Sequence, residues 1–149
     1  MKQLELSLKT ISAQETYPVR HPVLRKGRPL SECEFEGDED VTTIHLGLYS
    51  KEKLVGVATF IKNSNPHFSE KVQYQLRGMA ILQTFQNKGL GKIILDEAEK
   101  QLSNKCHRIW FNARKIAVNF YEKNGYKKMG EPFEIPNVGM HYVMTKKFM

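Results

Sequence analysis

Apolar positions alternate with polar ones near the start of the chain, at Leu4, Leu6 and Leu8, as in a half-buried strand. Ser12, with Glu15 three residues on, has the pattern of a capping box opening a helical region, which Pro18 and Pro22 are expected to kink or break. Alternation returns at Ile44, Leu46 and Leu48, and residues 54–61 form an apolar run after a short polar turn at 50–53, which predicts a hairpin. A fourth strand is expected over residues 72–82. The period then changes: Leu90, Ile93, Ile94, Ala98 and Leu102 recur at helical spacing behind the turn Gly89-Leu90-Gly91. A short strand at 108–112, a helix at 115–123 stopped by Asn124-Gly125, and strands at 126–129 and 141–147 complete the pattern, with loops at 63–69 and 131–139. This order predicts an α/β chain with a mixed sheet flanked by helices.

At 149 residues and 40% hydrophobic content, the chain has the size and apolar content of one domain, expected to span residues 1–149. The longest apolar stretch, 54–61, is far short of the ~18 residues that cross a bilayer, and residues 1–12 carry no signal-peptide block. A soluble, cytoplasmic protein is expected. Cys33 and Cys106 lie far apart without metal-ligand spacing, so neither a disulfide framework nor a metal site is indicated. The formal net charge of +7 is uneven: residues 101–149 hold nine Lys/Arg against three Glu, whereas residues 32–40 hold six acids. A basic surface of this kind is either solvated or suited to a polyanion, whether nucleic acid or a phosphorylated cofactor.

The most informative stretch runs from Leu76 through Gln86-Asn87-Lys88-Gly89-Leu90-Gly91-Lys92. A strand passing through a short glycine-bearing loop into a helix offers free N–H groups, the positive end of the helix dipole and close backbone approach, to which Lys88 and Lys92 add charge. A tight turn with close helix packing would look the same. No third glycine completes a dinucleotide fingerprint, and Ile93 stands where a P-loop needs Ser or Thr. The stretch Gln86-Asn87-Lys88-Gly89-Leu90-Gly91 resembles motif A (Q/R-x-x-G-x-G/A) of the GNAT acetyltransferases. Residues 117–126, Ala-Val-Asn-Phe-Tyr-Glu-Lys-Asn-Gly-Tyr, resemble their motif B. The family often has Asn three residues before the motif B alanine; here that position is Arg114.

The resemblance implies a GNAT-like fold with a twisted sheet splayed between its fourth and fifth strands, and acetyl-CoA as cosubstrate with no metal. It implies that the main chain of Met79, Ala80 and Ile81 pairs with the pantetheine arm, and that Asn87, Lys88, Gly89, Leu90, Gly91 and Lys92 hold the pyrophosphate. It also implies transfer of the acetyl group to a primary amine, with Tyr121 as general acid toward the departing thiolate. A general base is needed too; the candidates are Glu134, His141 or a water relay, with His45 weaker. The basic segment 20–29 falls in the region that usually walls the acceptor in this family, although it reads equally well as a solvated face. A small-molecule or peptide amine and a homodimer are the expected partners, with no nucleic acid and no membrane. Two other classes fit parts of the pattern: a non-catalytic acyl-CoA-binding module of the same fold and a basic nucleic-acid-binding domain.

Overall fold

A computed structural model of the chain describes residues 5–148; the expectation placed on Leu4 lies outside the described residues. The elements are β1 (Leu6–Thr10), α1 (Tyr17–Leu24), β2 (Ile44–Ser50), β3 (Lys53–Lys62), β4 (Gln73–Ile81), α2 (Leu90–Leu102), β5 (Arg108–Arg114), α3 (Val118–Lys123), β6 (Lys127–Ile135) and β7 (Gly139–Lys147). The strands are ordered β1-β2-β3-β4-β5-β7-β6. The β1–β2, β2–β3, β5–β7 and β6–β7 pairs are antiparallel and β4–β5 is parallel, giving the mixed sheet that the pattern predicts. The β4–β5 ladder joins Gln73, Tyr74 and Gln75 to Arg108, Ile109 and Trp110 and goes no further. There the chain divides into two compact units: one takes the chain up to Ile61 with Leu76–Gln101, the other Lys62–Gln75 and the chain from Leu102 onward.

In the first unit, α1 covers one face of the strands, with Val19, Val57 and Ala80 at the centre and Ile11, Val23, Leu24, Leu54 and Leu82 packed around them. Gly56 explains how α2 reaches the strands. A Cβ there would stand 2.7 Å from Ile81 Cδ1 and 3.1 Å from Ile94 Cδ1, so only a bare backbone admits both side chains. Ser12 and Glu15 form the expected capping box, Ser12 N–H donating to Glu15 Oε1 (2.9 Å) and Glu15 N–H to Ser12 Oγ (3.2 Å). The box opens a 3-10 turn, Gln14–Thr16, that runs on into α1. Pro18 does not break the helix, because it occupies the first turn, where its missing N–H has no partner to lose; Pro22 is inside α1, which ends two residues later.

In the second unit, β6 runs to Ile135 through most of what the sequence suggests is a loop at 131–139. Gly130 at φ 76° and a register shift between Met129 and Phe133 absorb Pro132, which has no N–H to give, and β6 resumes pairing at Phe133. The segment before β4 is tied down by Glu70, whose carboxylate takes a two-pronged ion pair from Arg108 (2.7 and 2.9 Å) while the guanidinium stacks on Phe68. The Arg108 hydrogen bonds hold the Glu70 carboxyl down at about 2. A depressed folded pKa stabilises the protein above the unfolded carboxyl pKa near 4.3, and that stability is lost as pH falls toward 2. Chemical denaturation at pH 5 and at pH 2.5 should show the parent losing about 1–2 kcal/mol more than Glu70→Gln, the pair being partly exposed. Equal losses would contradict this assignment.

Candidate functional site

In the first unit, the segment from β4 to α2 has three left-handed residues. Gly78, within β4, is at φ 65°; a Cβ there would come within 2.8 Å of Phe35 Cε2 and 3.4 Å of Arg20 Nε, so glycine alone is accommodated. Met79 and Ile81 are half-buried and Ala80 buried. Beyond them the Leu82 N–H donates to Val55 O (2.8 Å), a 3-10 turn spans Gln83–Phe85, and Gln86 Nε2 reaches back to Ile81 O (2.9 Å), bracing the loop. Asn87 (φ 63°) and Gly89 (φ 78°) then turn the chain into α2. Among the described residues the N–H groups of Asn87, Lys88 and Gly89 have no backbone acceptor, and the first turn of α2 adds its own free donors. A Cβ on Gly89 would meet nothing within 4 Å, so the side of the turn on which it would stand is open. Lys88 is exposed, and Lys92 lies along the helix surface paired with Asp96 at 2.7 Å. A glycine-floored, donor-lined turn at a helix start fits a phosphate or pyrophosphate.

Next to this loop lies an open cavity of about 570 Å³, lined among others by Lys26, Lys53, Gln83, Thr84 and Gln86. Neither lysine has a carboxylate partner among the described residues. Arg20, in contrast, departs from both readings of the basic segment 20–29, since this one residue neither faces solvent nor is free to meet an acceptor. It is fully buried, clamped by Asp38 (2.7 and 3.0 Å), Cys33 O (2.8 Å) and Thr59 Oγ1 (2.7 Å). The ion pair and the Phe35 N–H hold the Asp38 carboxyl below its ordinary range against the opposing effect of burial. His45 belongs to the same network, its ring nitrogens engaged by Thr59 Oγ1 and Asp38 O, which leaves it no free nitrogen for base catalysis.

In the second unit, Tyr121 sits on α3, which ends in a Schellman cap. Gly125 at φ 91° lets Tyr126 N–H donate to Tyr121 O (3.0 Å) and its own N–H to Glu122 O (3.1 Å). Tyr121 is 8% exposed, and its ring packs on Phe111 (4.3 Å between centroids), Phe120 and Tyr126. Burial pushes its hydroxyl up to about 12, so it stays protonated throughout the physiological range. No hydrogen-bond partner of that hydroxyl occurs among the described residues. On β7, His141 is buried beside Phe133, and its Nδ1 lies 2.8 Å from Gly139 O. A carbonyl only accepts, so Nδ1 carries the proton and the Nε2 of the neutral ring keeps its lone pair. Glu134, opposite Met140 on β6, is exposed and has no hydrogen-bond partner among the described residues.

Residues 31–147 match the family model of the acetyltransferase (GNAT) domain. The chain belongs to the GNAT acetyltransferases. A Bacillus subtilis (strain 168) protein described as an uncharacterized N-acetyltransferase, YitI, is 37% identical over 142 residues, 95% of each chain. The fold is also that of Arabidopsis thaliana Naa50 in complex with the bisubstrate analogue CoA-Ac-MVNAL (TM-score 0.74, 16% identity, 97% and 100% of the two chains). A GNAT acetyltransferase from Elizabethkingia anophelis with acetyl-CoA bound shares it too (TM-score 0.69, 12% identity, 96% and 98%). As a GNAT protein the chain is an N-acetyltransferase and therefore an acyltransferase enzyme, and its mixed seven-stranded sheet with parallel β4 and β5 is that of the fold.

The GNAT assignment makes the distribution of the predicted residues informative. Met79 to Lys92 fall together in the first unit, on one continuous strand–loop–helix segment; Tyr121, Glu134 and His141 fall in the second. Sequence reading missed Phe35 and Arg77, which meet across 42 positions of chain at 5.3 Å. Neither lies in a motif, and no periodicity marks a contact of that separation.

Proposed function

We propose that the protein is an acetyl-CoA-dependent N-acetyltransferase acting in the cytoplasm as one domain over residues 1–149, with a primary amine of a small molecule or peptide as acceptor. The observation that carries this reading is the turn from Gln86 to α2, where Asn87 and Gly89 are left-handed, the N–H groups of residues 87–89 have no backbone acceptor among the described residues, and the space beside Gly89 is open. Those donors and Lys88 take the pyrophosphate, and Lys26 and Lys53 in the adjoining cavity, which have no carboxylate partner among the described residues, favour a polyanionic nucleotide. The main chain of Met79, Ala80 and Ile81 pairs with the pantetheine arm as an added strand. Two of the proteins sharing the fold have CoA-type molecules as ligands by name, and one of those is a peptide conjugate, which supports both halves of the proposal.

The amine nitrogen attacks the thioester carbonyl carbon, the C–N bond forms, and the C–S bond breaks. CoA leaves as a thiolate that gains a proton, while the acylated nitrogen loses one, giving the N-acetyl amine and CoA-SH. Tyr121 donates a hydrogen bond, and finally its proton, to the departing sulfur. A hydroxyl near 12 against a thiol near 8.5 makes complete transfer to a relaxed thiolate uphill by about 5 kcal/mol, so its contribution falls mainly while the C–S bond is breaking. Of the two candidate bases His141 is the better placed, because the Gly139 carbonyl fixes its tautomer with Nε2 free to accept a proton.

The test is calorimetric titration and thermal unfolding with CoA and acetyl-CoA. At ligand near 100 times its dissociation constant the native state gains about 2.7 kcal/mol, which raises the melting temperature by several degrees. A folded protein with no heat of binding and no shift at millimolar CoA would refute the proposal.

A further inference from the structure

Three guanidinium groups gather on one aromatic ring in the first unit. Arg20 lies 4.0 Å, Arg25 5.0 Å and Arg77 5.3 Å from the centroid of Phe35. Their charges are met very differently. Arg20 is matched by Asp38. Arg25 spends Nε on Glu32 O (3.2 Å) and one terminal nitrogen on Leu24 O (3.0 Å), so its hydrogen bonds go only to carbonyls, and its other terminal nitrogen has no partner among the described residues. Arg77 is half-buried, lies against the ring and, among the described residues, has neither hydrogen-bond nor ion-pair partner.

Acids are not scarce nearby, with six of them in residues 32–40. Asp38 is committed to Arg20 and Glu32 to Arg28 (2.7 Å), and none of the six forms an ion pair with Arg25 or Arg77. Two cations held at one ring without a counter-charge repel each other, and the ring recovers only a modest part of that cost. A planar, multi-donor pair of this kind is the usual receptor for a carboxylate or phosphate group.

We propose that the acceptor amine carries such an anionic group, and that Arg25 and Arg77 bind it beside Phe35. This rests on the transferase reading above. With the pyrophosphate held at residues 87–92, a pantetheine arm running back along β4 presents its sulfur at the Met79 end. Arg77 is two residues before Met79, on the far side of the left-handed Gly78. An anion at Arg77 thus ties the acceptor to the end of the strand where the acyl group arrives. Lys26 and Lys53, at the other end of the segment, are left for the nucleotide.

The experiment measures acetylation of matched amines: amino acids against their amides, and O-phosphoethanolamine against ethanolamine. The parent should favour the members of one anionic class over their neutral counterparts in kcat/KM, the two pairs distinguishing carboxylate from phosphate. In Arg77→Gln and Arg25→Gln, each shown folded by melting curve, that preference ratio should fall about 10- to 100-fold, the worth of a charge-assisted hydrogen bond, through KM more than kcat. Arg77→Lys, which keeps the charge, should recover part of it. A parent that treats both members alike, or a ratio unmoved in folded variants, overturns the proposal and assigns both arginines to packing on Phe35. CoA bound with no amine acetylated would count against the transferase reading, and the acceptor assignment would fall with it.

Discussion

Gly89→Val should yield a folded protein that has lost CoA binding. Gly89 is at φ 78°, where a β-branched side chain is strained by about 1–2 kcal/mol, a cost that a domain of ordinary stability survives. Nothing within 4 Å of the new Cβ adds a clash inside the protein, so the added bulk falls where the pyrophosphate is expected. Losing two charge-assisted hydrogen bonds of about 1.5–3 kcal/mol each weakens binding roughly 10²- to 10⁴-fold. Gly91→Val separates strain from obstruction, because Gly91 is in the first turn of α2 and is not left-handed. Calorimetry with CoA beside a melting curve reads both quantities. Tight binding by a folded Gly89→Val protein would show that the phosphates sit elsewhere.

Tyr121→Phe should lower single-turnover acetyl transfer by about 10- to 100-fold while CoA affinity is nearly kept. General acid catalysis is commonly worth 10²- to 10⁴-fold, and a thiol, which leaves readily, benefits at the low end. The ring still packs on Phe111, Phe120 and Tyr126, and the Schellman cap does not depend on the hydroxyl, so the fold should be unaffected. With the hydroxyl near 12, loss of its proton should not limit the parent's rate below about pH 11. Single-turnover rates separate chemistry from product release. Equal rates in parent and variant would return Tyr121 to a packing role and leave the thiolate to be protonated by solvent.

What could be read from the sequence was local. The capping box at Ser12 and Glu15, the α2 period, the Asn124-Gly125 stop and the glycine turn are each specified within a few residues, and all appear in the fold. The far half of β6 was not legible because Gly130 and Pro132 are loop residues by local chemistry; pairing with β7 overrides them through a register shift. Arg20 was misread for a related reason: its counter-charge, Asp38, is 18 positions away and its other partner, Thr59, 39 away, distances at which a basic run looks like surface. His45 and His141 were alike as lone histidines. They part company only in three dimensions, where one has both nitrogens engaged and the other, among the described residues, only Nδ1.

The central claim, acetyl transfer from acetyl-CoA to an amine, is met most directly by following thiol release and product mass together, with acetyl-CoA and a broad amine panel that includes the matched anionic and neutral pairs. The account predicts thiol release that depends on a particular amine, an equal amount of that amine gaining the mass of one acetyl group, and loss of both signals in Gly89→Val. Tight CoA binding with no amine-dependent thiol release across the panel would contradict it and leave a CoA-binding protein without transferase activity.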